Sequence, residues 1–386
     1  MSPPPAILGD IVSPSQIKRL KAVPKCKQRD RSAANAALWT NTADGLEDER
    51  KTRQYFFDSG ANQWYEDIAN LTFSSTFCDL SPEEAQIIVQ HWNDQKESGS
   101  ANFDQDKTTI AKEKLQNLCE RLNRAVVYEK SKSPVGKAFV KLSTRSPKDS
   151  RIILRRAKVA YEQRLRELSA KSSLVDSNVK WRVLSDEVAT ASAVSDGSAA
   201  LEMMLNSSRI FEDLQYALEG FTGDDAPRQW NVQLVARAWE PRVLAHTEFR
   251  GICWNGKLTC VGQYFHPLYF PDVVENRNEI EVDILACMDR AEVRSAVMKL
   301  GGTCIIDFAR IGPGETLIVE MNPFDGESLG TLPASTGLFL WDNPEDRDII
   351  MGRVPFAFRV REQPMEEHKL KADFHSDWKA IIYGHT

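Results

Sequence analysis

The sequence predicts an α+β protein, and three observations carry that prediction. Two β-hairpins are legible from their turn chemistry, one over residues 248–263 and one over 304–324. Several stretches repeat apolar residues at helical spacing, among them 85–92, 111–122 and 157–168. The chain has 386 residues, enough for two ordinary domains or one large two-lobed one.

Composition sets the remaining bounds. Hydrophobic residues make up 42% and charged residues 27%, as in proteins that bury a sizeable core. No run approaches the roughly 18 apolar residues of a membrane helix. The start, Met1-Ser2-Pro3-Pro4-Pro5, lacks the charged-then-apolar layout of a signal peptide. Seven cysteines, an odd number without a Cys-x-x-Cys pair, point to free thiols in a reducing, cytoplasmic compartment and away from structural zinc.

Taken in order, residues 1–60 mix Pro, Ser, Asn, Asp and basic residues with little periodicity, which predicts a mostly disordered leader. Leu71 to Phe77 alternates like a strand. Ser81-Pro82-Glu83-Glu84 is a helix start, with Ser81 as N-cap and Glu84 closing a capping box. A polar stretch, Asp94 to Ser100, reads as a loop. Ala111, Leu115, Leu118 and Leu122 form a second helical stripe. Lys137 to Leu142 reads as a short strand that delivers Lys141 into the hydroxyl- and base-rich loop Ser143 to Ser150. Such a loop can grip a phosphate, although it lacks the glycines of a Walker loop and equally fits a basic surface turn.

A basic helix follows from Arg155 to Ala170, then helices from Ala199 to Leu205 and from Ile210 to Leu218, the latter capped by Ser207 or Ser208. Trp230 to Trp239 is a strand. In the first hairpin Asn255-Gly256 is a type I′ turn, and pairing Trp254 with Lys257 places Arg250 opposite Val261 and Glu248 opposite Gln263. Arg250 suits a phosphate or an ion pair with Glu248. Val293, Ala296, Val297 and Leu300 mark a helix stopped by Gly301-Gly302.

The second hairpin carries the sharpest chemistry. If Gly312 faces Glu315, an antiparallel count sets Asp307 opposite Glu320 and Ile305 opposite Asn322. Ile306, Phe308, Leu317, Val319 and Met321 then share the apolar face, and Asp307, Glu320 and Asn322 the other. Facing carboxylates repel unless a third group intervenes. One reading supplies a magnesium ion, held by Asp307, Glu320 and Asn322; the other leaves a pair of acids at a sheet edge, solvated or bonded to Arg310 or another base. On pairing alone, Asp307→Ala relieves repulsion and leaves stability unchanged or slightly raised.

Charge is uneven. The net charge is −6, yet residues 107–171 hold 18 Lys and Arg against 6 Asp and Glu. That excess fits a polyanion contact, a charged protein partner or simply a solvated helix face.

The ordered set of Trp64-Tyr65, Lys141 with Ser146-Pro147-Lys148-Asp149, Leu205 to Leu214, Arg237-Ala238-Trp239, Glu248-Phe249-Arg250 and Asn322-Pro323-Phe324 resembles the cell division cycle protein 123 family, over roughly residues 64–341. The family belongs to the ATP-grasp superfamily. The resemblance implies a two-lobed ATP-grasp fold with antiparallel sheets and an ATP cleft between the lobes. Its divisions would be a leader at 1–60, an N-terminal lobe at 61–228, a C-terminal lobe with the metal-binding hairpin at 229–361 and a tail at 362–386. It implies ATP and magnesium as cofactors. Lys141 would neutralise phosphates under the loop bearing Ser143, Ser146, Lys148 and Asp149. Val235 and Arg237 would line the hinge strand near the adenine, Arg250 would reach phosphate, and Asp307, Glu320 and Asn322 would hold the metal. The family role implied is assembly chaperone for eukaryotic translation initiation factor 2, through its gamma subunit. Departures are Glu320-Met321 where the family usually has Asp-Phe, Ser143-Thr144 for Asn-Trp, and Ala238 for the lysine of Arg-Lys-Trp, the marks of a divergent member. An ATP-grasp ligase or transferase acting on a carboxylate or phosphate, and a scaffold with a decayed nucleotide site, are the alternatives.

Overall fold

The computed structural model describes residues 57–97, 105–171, 175–221, 230–324 and 337–384. The expected leader lies outside these residues up to position 56. By Phe57 the chain already folds back, since Trp64 Nε1 donates to Ser59 O at 3.1 Å and Ala61 N to Ser143 O at 2.8 Å.

A short helix α1 (Ala61–Trp64) and a 3-10 segment (Glu66–Leu71) lead into strand β1 (Ser75–Asp79), a few residues later than the alternation suggested. Helix α2 (Pro82–Glu97) begins at the capping box: Glu84 N donates to Ser81 Oγ at 3.2 Å, and Ser81 N returns to Glu84 Oε2 at 2.9 Å. It runs through Asp94 to Glu97, which the sequence assigned to a loop; the rest of that polar stretch lies outside the described residues. Helices α3 (Gln105–Lys114) and α4 (Gln116–Lys132) follow, then strand β2 (Ala138–Leu142), the basic helix α5 (Arg151–Lys171), α6 (Ser177–Ala191), α7 (Gly197–Leu205) and α8 (Ser208–Phe221). Ile210 N donates to Ser207 Oγ at 3.3 Å, so Ser207 is the cap of α8. Helix α6, with Trp181 and Leu184 fully buried, was not read from the sequence.

Strand β3 (Gln233–Ala238) is the centre of a three-stranded antiparallel sheet ordered β1-β3-β2. Alternation sorts its side chains. Thr76, Val140, Leu142, Leu234 and Ala236 lie on the face covered by α4, where Thr76 Oγ1 donates to Glu129 at 2.6 Å. Phe139, Lys141, Val235 and Arg237 therefore occupy the opposite face.

Strands β4 (Glu248–Trp254), β5 (Lys257–Gln263), β6 (Cys304–Gly312), β7 (Glu315–Pro323) and β8 (Ala357–Arg359) form a second sheet ordered β7-β6-β4-β5-β8, antiparallel except for the parallel β5–β8 pair. Between them lie α9 (Pro271–Glu275), α10 (Arg277–Met288), α11 (Ala291–Lys299) and α12 (Pro344–Ile350). Phe249, Ile306, Phe308, Ile318 and Met321 pack into the main core with Ile284, Val293 and Val297. The other face presents Glu248, Arg250, Asp307, Glu320 and Asn322. The last helices, α13 (Glu367–Asp373) and α14 (Ser376–Tyr383), return to α6, where Phe374 stacks on Trp181 with ring centres 4.0 Å apart.

Both hairpins close where expected, but their interiors slip. Asn255 (φ 51°) and Gly256 (φ 77°) make the left-handed turn, and Trp254 pairs with Lys257. Thr259 then bulges out, so Arg250 meets Gly262, not Val261, and Phe249 meets Gln263. Thr259 Oγ1 donates to Ile350 O at 2.8 Å and also lies 3.2 Å from Ile252 O, which fixes the bulge. In the second hairpin Gly312 pairs with Glu315 and Asp307 with Glu320, as counted, yet Arg310 pairs with Thr316 and Phe308 with Ile318. Ile311 on β6 and Val319 on β7 are both left out, and the two bulges cancel. Ile318, not Leu317 or Val319, is consequently the fully buried residue of that stretch.

Candidate functional site

The two sheets meet along β7. Because β7 is an edge strand, its outer carbonyls need partners. Thr72 Oγ1 donates to Ile318 O at 2.7 Å, and Arg237 Nη1 donates to the carbonyl of the bulged Val319 at 2.6 Å. Lys141 Nζ donates to Glu320 Oε2 at 2.5 Å. Three consecutive residues of β7 are thus tied to the 3-10 turn and the first sheet, and the bulge is what turns the Val319 carbonyl outward.

Around this join the expected residues gather in part. Arg250 grips Asp307 bidentately, Nε to Oδ1 and Nη2 to Oδ2, both at 2.7 Å. Its partner is Asp307, directly opposite on β6, and not the neighbouring Glu248. Asn322 Nδ2 lies 3.1 Å from Glu320 Oε1 and 3.4 Å from Asp307 Oδ2. The facing acids are therefore not in conflict: each carboxylate has a cation of its own, and one amide nitrogen sits between them.

Electrostatics follows from burial and these partners. Burial drives the Glu320 carboxyl upward, but Lys141 and Lys148 outweigh it and hold the group far below the usual carboxylate range. Burial also lowers the Lys141 ammonium, with Glu320 opposing. Arg237 falls to about 10 through burial, and its Nε and Nη2 have no hydrogen-bond partner among the described residues although the residue is 3% exposed. The rings of Trp64 and Phe73, each 5.7 Å from its guanidinium carbon, make up part of that deficit. Arg250 is raised, the attraction of Asp307 overcoming burial. Glu248, buried with no direct cation, is raised by desolvation.

The Ser143 to Ser150 loop is built more for rigidity than its composition implied. Asp149 accepts from Ser207 Oγ, from Ser208 Oγ at 2.5 Å and from Arg209 N at 3.1 Å, so its carboxylate is spent on the start of α8. Thr144 Oγ1 donates to Asp213 at 2.7 Å, and Arg145 Nε reaches the same carboxylate at 3.0 Å. Ser143 and Ser146 are buried. Lys148 of this loop reaches toward the second sheet, its Nζ 4.9 Å from the centre of the Tyr264 ring, while Arg250 lies 4.7 Å from the same ring. Its ammonium is raised by Tyr264, Glu248 and Glu320 against the effect of burial. Val235 pairs with Lys141 across the first sheet and is fully buried.

Tyr264 was missed in the sequence because it falls just after β5. Trp64 entered only through the family resemblance and Phe73 as part of a strand, and their place beside Arg237 follows only from the docking of the N-terminal turn.

The donor set fits a hard divalent cation in one respect. A single amide nitrogen touches both carboxylates, so a cation at that point would meet oxygen from Asp307 and Glu320. Asn322 would have to present its oxygen there by turning its amide. Among the described residues no three His, Cys, Asp or Glu side chains converge on one point. No helix among them is long and apolar enough to cross a membrane.

Comparison with known proteins bears on the fold and the family. Residues 191–376 match the D123 family model. The structure is similar to that of a C-terminally truncated Cdc123 from Schizosaccharomyces pombe, with a TM-score of 0.54 and 15% identity over 81% of this chain and 98% of that one. It is also similar to Cdc123 from the same yeast, with a TM-score of 0.51 and 14% identity over 80% and 98%. No curated protein matches the sequence. The likeness at such low identity speaks to the mixed α+β architecture, and the D123 match covers β3 to β8 with the Arg250–Asp307–Glu320–Asn322 group. The D123 match over residues 191–376 supports a Cdc123 family member, and the structural likeness shows the shared fold.

Proposed function

We propose that this protein has an ATP-grasp fold, binds ATP with magnesium where its two sheets meet, and acts as a Cdc123-type assembly chaperone for eukaryotic translation initiation factor 2. The observation that carries the reading is the concentration of Lys141, Lys148, Arg237 and Arg250 around Asp307, Glu320 and Asn322 at one join. Asp307, Glu320 and Asn322 would hold the magnesium, which would neutralise phosphate charge when bound. Lys141 and Arg250, engaged with the acids here, would be the side chains free to turn to the phosphates with magnesium bound. Lys148 adds a third cation from the loop, and Val235 with Arg237 borders the base. Ser143, Ser146 and Asp149 act on the nucleotide through the loop's shape, since Asp149 is committed to capping.

Charge exchange is the physical basis. In the present form the acids and bases neutralise each other, and a magnesium–triphosphate group, itself both cation and anion, can be inserted without leaving either unpaired. The partner is the factor's gamma subunit. A pull-down from a eukaryotic lysate with magnesium and a non-hydrolysable ATP analogue tests this: the gamma subunit is retained by the wild type and lost with Asp307→Ala. A wild type that takes up ATP but retains no gamma subunit would reject the chaperone role.

A second reading, a ligase or transferase, is favoured by one feature, the glutamate at 320 where the family pattern noted above usually has aspartate. Glutamate is the commoner metal ligand across other ATP-grasp enzymes. Release of ADP or AMP that depends on a co-substrate would support it, and a flat baseline across substrate pools would count against it.

A further inference from the structure

We propose that Tyr264 is a positioning residue of this site, whose ring holds Lys148 of the loop in fixed relation to Arg250 of β4 and so sets the spacing of two phosphate-binding cations. This rests on the nucleotide-binding reading above for its purpose, but not for its geometry.

Lys148 and Arg250 come from segments that share no backbone pairing. Both cations nevertheless lie over one ring, at 4.9 and 4.7 Å from its centre. Like charges this close to a common point repel, and the negative face of an aromatic ring is a group that attracts both without discharging either. Lys148 makes no salt bridge among the described residues, in contrast to Lys141 and Arg250, which are each bound to a carboxylate. It therefore remains available to an incoming anion.

The ring itself is well anchored. Tyr264 N donates to Glu248 O at 2.9 Å, which extends the β4–β5 pairing by one residue. Its neighbour Gln263 is buried, donates to Phe265 O at 2.9 Å and Leu268 O at 2.5 Å, and accepts from Arg361 N at 2.7 Å. Phe265 meets the Tyr264 ring edge-on with centres 5.3 Å apart. The loop is pinned at Asp149 to α8, one residue beyond Lys148. Between two fixed points, the side chain of Lys148 has one aromatic surface on which to settle. A phenyl ring offers a similar face, so the hydroxyl is not required and the ring is.

The experiment compares wild type, Tyr264→Phe and Tyr264→Leu in the full chain, with two readouts. The first is the rate of Lys148 acylation by an amine-reactive ester, followed by peptide mass spectrometry without nucleotide. The second is the affinity for magnesium–ATP by titration calorimetry. Tyr264→Leu is expected to raise Lys148 labelling several-fold relative to surface lysines and to weaken ATP about tenfold, the scale of one lost cation–π contact in a desolvated site. Tyr264→Phe is expected to stay within about twofold of wild type in both, since the ring quadrupole persists. Should Tyr264→Leu fail to fold, Tyr264→Met, of similar reach without a ring, replaces it. Unchanged labelling in the ring-less variant, or a phenylalanine variant as impaired as the ring-less one, would overturn the proposal. If wild type takes up no ATP while the labelling ratio behaves as expected, the positioning geometry stands and the nucleotide reading falls.

Discussion

Asp307 illustrates how one residue can carry two opposing demands. In the sequence it faces Glu320 and invites the view that its removal relieves repulsion. In the structure it is the bidentate partner of Arg250, so Asp307→Ala strands a largely buried guanidinium. That reverses the expected sign: the substitution should destabilise the protein by about 3 kcal/mol, the lower end for breaking a buried pair. Urea denaturation of the two proteins measures it, and equal midpoints would refute the pair's importance. Glu320 makes a pH prediction. Its folded carboxyl is held below its unfolded value of about 4.3, so the stability it confers is present at neutral pH and is lost as pH falls from about 5 downward. Glu320→Gln should flatten the stability–pH curve over that window; a curve of unchanged slope would show that Glu320 contributes nothing to it.

Among elements, the α8 start and the bulged hairpins are the most informative. Asp149 accepts three hydrogen bonds from Ser207, Ser208 and Arg209, so Asp149→Ala should cost about 2 kcal/mol and lower the thermal midpoint even without nucleotide. A midpoint that moves only when ATP is present would instead return Asp149 to the binding surface. The capping box at Ser81 and Glu84 was legible because its chemistry is local, and Ser81→Ala should cost about 1 kcal/mol in a melt. The hairpin interiors were not legible, for a physical reason. Turn residues fix where a hairpin closes, but Thr259 bulges to satisfy carbonyls at Ile252 and Ile350, and Val319 bulges where Arg237 takes its carbonyl. Neither demand is visible in the strands' own alternation. The facing of Asp307 and Glu320 survived only because a second bulge at Ile311 cancels the first.

For the whole molecule, the sequence located the strands other than β8 and helices α2 to α5, α7, α8 and α11, while the join between the sheets came from side chains far apart in the chain. Lys141 and Glu320 are separated by 179 positions, and Thr72 and Ile318 by 246. The C-terminal helices α13 and α14, set aside as a tail, fold back on α6 through Phe374 and Trp181, an apolar contact that only appears once α6 itself is recognised. The D123 match over residues 191–376 and the architecture shared with Cdc123 structures support the same kinship. The central claim is that the Lys141–Glu320 and Arg250–Asp307 pairs are a self-neutralised form of a magnesium–ATP site. Titration calorimetry of wild type and Glu320→Gln with ATP, with magnesium and with excess chelator, tests it most directly. The account predicts ATP binding by the wild type that requires magnesium and falls at least tenfold in Glu320→Gln; binding that ignores both magnesium and the substitution, or no binding by the wild type at all, would contradict it.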